Sequence, residues 1–282
     1  MTFSFRLDRA VSVGLAHPLS TRRKRSTSGR VSILMYHGIN TEVGQRHPYF
    51  ETNTSPNAFR AQMNALAQSD YATLDLEGAL SIIQSAGDGT RKAVITFDDG
   101  YRDFYDEAFP ILIDKGFQAT LFVVTSLTGT QRLSRNGKEY MTWSEVREAH
   151  SRGIRIGSHT VRHGKLWNMT PTEVCSELRD SKAAIEDKLG APVESFAYPY
   201  AFPAQDKRFV QSVRESLQRY GYTNGVSTTI GTARQCSDRY FLPRLPVNTF
   251  DDETFFRAKL EGGYEWLRVF QQAKKTLQAK LT

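Results

Sequence analysis

The strongest constraint on this chain is an alternation in which short, nearly continuous apolar segments of strand length are each followed by a longer segment with helical spacing. Val31-Ser32-Ile33-Leu34-Met35-Tyr36 reads as the first strand and runs into His37-Gly38. After a polar, loop-like stretch to about Ser55, Pro56 opens a helix with apolar Phe59, Met63, Leu66 and Ala67 on one face, and Leu74 to Ala86 reads as a second helical region. Strand then alternates with helix: Ala93 to Phe97 and Phe104 to Lys115, Ala119 to Val124 and Trp143 to Ser151, Ile154 to Ile156 and Pro171 to Leu189, Ser195 to Tyr198 and Lys207 to Tyr220. Strands apolar on both faces must be covered on both faces, so the pattern predicts an α/β fold with a parallel sheet beneath helices. There is no internal repeat.

At 282 residues with 39% hydrophobic content, the chain can bury one full core. No segment approaches the roughly 18 uninterrupted apolar residues that a membrane-spanning helix needs. The net charge of +7 is concentrated at one end, because residues 1–30 hold seven Lys/Arg against the single Asp8. The remainder is nearly neutral, which argues against nucleic acid as a partner of the folded domain. Residues 1–30 are expected to form a basic, disordered tail. The only apolar run there, Ala10 to Ala16, precedes the cluster Arg22-Arg23-Lys24-Arg25, the reverse of the order in a secretory leader. A cytoplasmic protein is therefore expected. Cys175 and Cys236 lack CxxC spacing and give no disulfide framework. From Asp251 to Leu281, Phe255, Leu260, Trp266, Leu267, Phe270 and Leu277 are set among Lys and Arg, the pattern of an amphipathic helical extension, over 251–282, that packs on the domain or meets a membrane interface.

Two strings carry chemistry. In Thr96-Phe97-Asp98-Asp99-Gly100, adjacent carboxylates follow an apolar strand. Successive residues leaving a strand point in different directions, so one carboxylate can bind a cation while its neighbour faces a substrate; the plainer reading is a helix-capping Asp. In Ser158-His159-Thr160-Val161-Arg162-His163, two histidines stand four residues apart after another strand. On a helix that spacing puts both imidazoles on one face, as a metal pair requires, although such pairs also arise by chance. Both strings end parallel strands, the edge where barrel enzymes assemble their sites. One carboxylate and two imidazoles would leave positions open for water and substrate.

With Phe196-Ala197-Tyr198-Pro199-Tyr200 added, in this order, the chain resembles the polysaccharide deacetylase family, also called the NodB-homology domain or carbohydrate esterase family 4, over roughly residues 31–250. The resemblance implies a distorted (β/α) barrel, one divalent metal ion, usually zinc, and hydrolysis of N-acetyl groups from amino sugars. It implies Asp98 as the base, Asp99, His159 and His163 as metal ligands, and the Tyr200 backbone N–H as an oxyanion donor. Two departures stand out. The Leu-x-His motif that supplies a proton donor in many members is here Leu242-Pro243-Arg244-Leu245-Pro246-Val247, and no histidine follows His163. His37 is then the best remaining candidate to line the site. The arginine expected before the Pro-Tyr motif is replaced by Ser195 and Phe196, and Arg244 is a candidate to pair with Asp98 in its place. Trp143 and Tyr200 are candidate sugar-stacking walls, or core. The expected partner is an acetylated oligo- or polysaccharide, either free or lipid-linked at a membrane that the basic ends could touch. A hydrolase of another ester or amide and a glycan-binding domain without turnover are the alternatives.

Overall fold

The computed structural model describes residues 6–22, 29–42, 47–85 and 90–271. In chain order the strands are β1 (Val31–Tyr36), β2 (Tyr71–Leu74), β3 (Arg91–Phe97), β4 (Thr120–Val123), the short arms β5 (Ser134–Arg135) and β6 (Lys138–Glu139), β7 (Arg155–Ser158), β8 (Ser195–Ala197), β9 (Asn224–Ile230) and β10 (Leu242–Pro246). The α-helices are α1 (Leu7–Val11), α2 (His17–Arg22), α3 (Pro56–Ala67), α4 (Leu76–Gln84), α5 (Phe109–Asp114), α6 (Trp143–Ser151), α7 (Pro171–Leu189), α8 (Lys207–Arg219) and α9 (Glu253–Leu260).

Every residue of β1 and β4, and all of β3 after Arg91, is buried. Closure provides the two covered faces such strands need, one turned to the barrel interior and one to the helices. The ring runs β1-β3-β4-β7-β8-β9-β10 and returns to β1, with every pairing parallel. β2 adds to β3 outside the ring. This is a distorted (β/α) barrel of seven strands, in keeping with the alternation in the sequence. Parallel pairing brings the C-terminal ends of the strands to one rim, so His37, Asp98, His159 and Tyr198, each just past a strand, are brought to the same mouth.

Helix boundaries follow local chemistry. Thr142 with Glu145 and Thr170 with Glu173 form reciprocal capping boxes at the starts of α6 and α7, and α7 stops at Gly190 with φ +65°. The structure departs from the sequence reading in three places. Leu74 closes strand β2 rather than opening a helix, and α4 begins after the Asp75 cap. β9 reads Asn-Gly-Val-Ser-Thr-Thr-Ile and β10 contains Pro243 and Pro246, so neither shows an apolar run.

The third departure is at the ends of the chain. Residues 7–22, expected to lie in a disordered tail, are helical, continuing through a π-type turn at Ser12–Ala16. They dock on the C-terminal segment. Tyr264 Oη donates to Asp8 at 3.2 Å, Trp266 Nε1 to Ser12 Oγ at 2.9 Å, and His17 pairs with Glu261 at 2.7 Å. The helicity comes from this tertiary surface rather than from propensity. Within the expected extension, Phe255, Phe256 and Leu260 belong to the main core, so α9 is part of the barrel's packing. Arg23, Lys24 and Arg25 of the basic cluster, and Leu277, lie outside the described residues. Among the described residues no helix is long and apolar enough to cross a membrane.

Candidate active site

β3 delivers the paired carboxylates. Asp98 is 2% exposed and its backbone N–H donates to the carbonyl of Tyr36 on β1, which fixes the strand end. Asp99 then turns into the left-handed region at φ +75° and Gly100 follows at +73°, so the two carboxylates diverge. Gly100 is needed there, because a Cβ would also press on Val123 at 3.2 Å.

Arg244 meets Asp98 across the barrel. The β9–β10 register shifts between Leu242 and Arg244, around Pro243, and such irregularities re-aim side chains. The guanidinium forms a two-pronged pair with Asp98, Nη1 to Oδ1 and Nη2 to Oδ2 both at 2.7 Å, while Nη1 also donates to Thr96 Oγ1 and Nε to the carbonyl of Ser227. Arg244 is 1% exposed. Burial alone would raise the Asp98 carboxyl, but the Arg244 charge and hydrogen bonds hold it below the ordinary carboxylate value. Asp98 is therefore an oriented, ionised carboxylate.

The two histidines are carried by a loop, not a helix. Thr160 and His163 have φ of +71° and +54°, a costly conformation for a β-branched threonine. The loop is held from several sides. Glu177 of α7, 2% exposed, accepts the consecutive backbone N–H groups of Val161 and Arg162 at 2.8 and 2.9 Å and the Arg162 side chain at 2.7 Å. Thr160 Oγ1 accepts from the His163 N–H, and Thr125 and Ser126 donate to the loop carbonyls. The i,i+4 spacing thus brings the rings together by a different geometry from the expected helical face.

Asp99, His159 and His163 place one donor atom each within 4.8 Å of one another. His159 Nδ1 lies 2.8 Å from the Ala197 carbonyl, which can only accept, so that nitrogen carries a proton and Nε2 is the ring atom left for a cation in the neutral imidazole. The Nε2 atoms of His159 and His163 lie 3.4 and 3.1 Å from Asp99 Oδ1, yet neither makes an aligned hydrogen bond to it, and that oxygen is buried without a donor. A buried acceptor facing two imidazole nitrogens fits a divalent cation, and this mixed nitrogen–oxygen set suits zinc.

A cavity of about 530 Å³ opens onto these groups. His37 borders it with Nε2 3.8 Å from Asp98 Oδ2, and burial, outweighing the nearby carboxylates, lowers its pKa and keeps it neutral at pH 7. Tyr200, φ +59°, stands 45% exposed at the rim with its ring 4.7 Å from the His163 ring, and its backbone N–H donates to no group among the described residues. The structure therefore brings Asp98, Asp99, His159, His163, His37, Arg244 and Tyr200 to one mouth. Trp143 is 6% exposed in the main core and is no sugar wall.

The sequence reading missed the far wall, formed by Tyr101, Tyr140 and the β5–β6 hairpin with Arg135 and Lys138. A signal was present. Asn136-Gly137 has both φ values positive, +54° and +76°, and Arg135 pairs with Lys138, the two-residue turn that Asn-Gly favours. Its arms are too short and polar to read as strands.

The profile of a family described as "Polysaccharide deacetylase" matches residues 86–225, an interval that includes Asp98, Asp99, His159, His163 and Tyr200 but neither His37 nor Arg244. The chain is 30% identical over 239 residues to the protein YxkH of Bacillus subtilis (strain 168), named for the same family, covering 84% of this chain and 78% of that protein. It is 22% identical over 205 residues to the poly-β-1,6-N-acetyl-D-glucosamine N-deacetylase of Staphylococcus aureus (strain MSSA476), covering 70% and 68%. Among solved structures, the Streptococcus pyogenes deacetylase PplD in complex with acetate superposes with a TM-score of 0.70 at 24% identity, over 82% of this chain and 98% of that one.

Proposed function

This chain belongs to the polysaccharide deacetylase family, and from that premise we propose that it removes N-acetyl groups from amino-sugar residues of an oligo- or polysaccharide, with Asp98 as base. The observation that carries this reading is the ionised Asp98, gripped by Arg244 at 2.7 Å and one residue from Asp99, whose carboxylate faces His159 and His163. The S. aureus relative's name supports an N-acetylglucosamine polymer as the substrate class.

Asp99, His159 and His163 would hold one divalent ion, zinc by their donor set, and when bound it would acidify water and polarise the acetyl carbonyl. The remaining steps belong to the protein. Asp98 accepts the proton of the attacking water, and Arg244 keeps its carboxylate charged and aimed. As the carbonyl carbon becomes tetrahedral, the unengaged N–H of Tyr200 is available to its oxygen, on a backbone constrained by Pro199. Collapse breaks the C–N bond, and the amine needs one proton to leave. Neutral His37, 3.8 Å from Asp98, can take the proton from Asp98 and pass it on, so that acetate and a free amino sugar result.

The test is acetate release by zinc-loaded protein from poly-β-1,6-N-acetylglucosamine, acetylated chitooligosaccharides, acetylated xylan and small amides, repeated with Asp98→Asn. Release from the amino-sugar substrates, lost by about 10²-fold or more in the variant, is expected. Acetate unaffected by Asp98→Asn would overturn the mechanism, release from xylan alone would make the protein an esterase, and zinc binding without release from any substrate would make it a binding domain.

A further inference from the structure

A second cavity, of about 640 Å³, opens directly from the first, and the two share His37, Thr52, Tyr200 and Thr228. Its chemistry is different. Met35, Tyr49, Phe50, Val247, Leu267 and Phe270 line it, and Phe50 and Phe270 are 56% and 63% exposed, large apolar surface left facing water.

A run of sugar residues would need hydrogen-bond partners for its hydroxyl groups, and three of the groove's polar side chains, Glu51, Thr228 and Gln271, are already engaged. Glu51 Oε1 accepts the backbone N–H groups of Thr52 and Asn53 at 2.9 and 2.8 Å. Gln271 spans β9, accepting from the Ile230 N–H and donating to the Thr228 carbonyl. The Thr228 hydroxyl donates to the Tyr200 carbonyl and accepts from the Phe202 N–H. With these groups turned inward, the groove presents mainly hydrocarbon and aromatic surface.

We propose that this groove binds an apolar aglycone, so that the preferred substrate is an amphiphilic N-acetylated glycoside whose sugar enters the catalytic cavity while its hydrocarbon group lies against Phe50 and Phe270. The proposal rests on the deacetylase reading of the neighbouring cavity, and the apolar part is identified by its chemistry alone, as a chain of methylene or isoprene type linked at the reducing end. His37 lines both cavities and stands 3.8 Å from Asp98, so the groove meets the catalytic cavity beside that carboxylate.

The experiment compares methyl and octyl N-acetyl-β-glucosaminides, both below their micellar concentration, and a chitotetraose without aglycone, on the zinc-loaded full chain. Affinity is read by calorimetry and turnover by acetate release. The octyl compound is expected to bind at least about tenfold more tightly than the methyl one, since each buried methylene is worth a several-fold gain. Phe50→Ala and Phe270→Ala should each bring that ratio back towards one; both side chains are exposed, so neither truncation opens the core. Equal affinity for methyl and octyl glycosides would overturn the proposal, as would an octyl advantage insensitive to both variants or a gain that follows the number of sugars instead of the alkyl chain. Acetate release with no octyl advantage would leave the deacetylase standing and remove the groove. An octyl advantage lost in both variants, with no acetate from any compound, would keep the groove and remove the deacetylase.

Discussion

Asp98 and Arg244 bury opposite charges in contact, and the planar fork of the guanidinium matches both carboxylate oxygens, so direction is fixed together with charge. Arg244→Lys keeps the charge and loses the fork. It is expected to lower kcat for acetate release at least about tenfold while zinc affinity is unchanged; equal kcat would mean that charge alone suffices. Arg244→Met leaves Asp98 buried without its partner and should cost about 3–5 kcal/mol of stability, seen in chemical denaturation. Glu177 acts at one remove. By accepting two backbone N–H groups of the loop between the histidines, it holds their left-handed turn, and Glu177→Ala is expected to weaken zinc binding by about 10–100-fold in a chelator competition, with Glu177→Gln intermediate. At this scale the candidates were legible: Asp98, Asp99, His159 and His163 stand out because carboxylates and imidazoles follow apolar strands. Glu177 was not, since a glutamate inside an amphipathic helix reads as solvated surface.

Among the elements, the terminal helices depend on charges that acid removes. Burial would raise Asp8, but the Arg6 hydrogen bond holds it below its ordinary value, and burial would likewise raise Glu261, which His17 and Arg91 hold down. A folded pKa below the unfolded one stabilises fully above the unfolded value, about 4 for a carboxylate, and that stabilisation drains away as pH falls through the folded pKa. Hydrogen exchange of residues 7–22 should therefore accelerate, beyond the intrinsic pH effect, between about pH 4.5 and pH 3, earlier than exchange in β3 or β4. Unchanged protection at the lower pH would show that apolar contact alone holds the helices. Helices and strands were readable wherever period and polarity agreed, as in α7 with its capping box. β9 and β10 were hidden because prolines, glycine and polar residues occupy a barrel wall that closes on an arginine.

At the level of the molecule, the three ligand candidates come from two loops on different strands, β3 and β7, so an ion bound there would bind the folded state and raise its stability by mass action. At a hundredfold excess over Kd the gain is about 2.7 kcal/mol, equivalent to several degrees in the unfolding temperature of a domain this size. Chelator-treated protein should melt correspondingly lower and recover on adding zinc; no shift would argue against a preformed site. The fold class was legible from alternation alone, because buried parallel strands have few other uses. Closure at seven strands was not, as it depends on β10 pairing with β1, a contact between the far ends of the barrel sequence.

That last pairing has a bearing on how the enzyme comes into being. Asp98 and Arg244 are 146 positions apart, whereas all three ligand candidates precede residue 164. A chain emerging from synthesis possesses the three ligand candidates long before it possesses the arginine that pairs with Asp98, the proposed base. Under the proposed mechanism, hydrolytic competence is tied to the arrival of β10, and a product cut short before Leu242 is expected to carry the ligand candidates yet release no acetate.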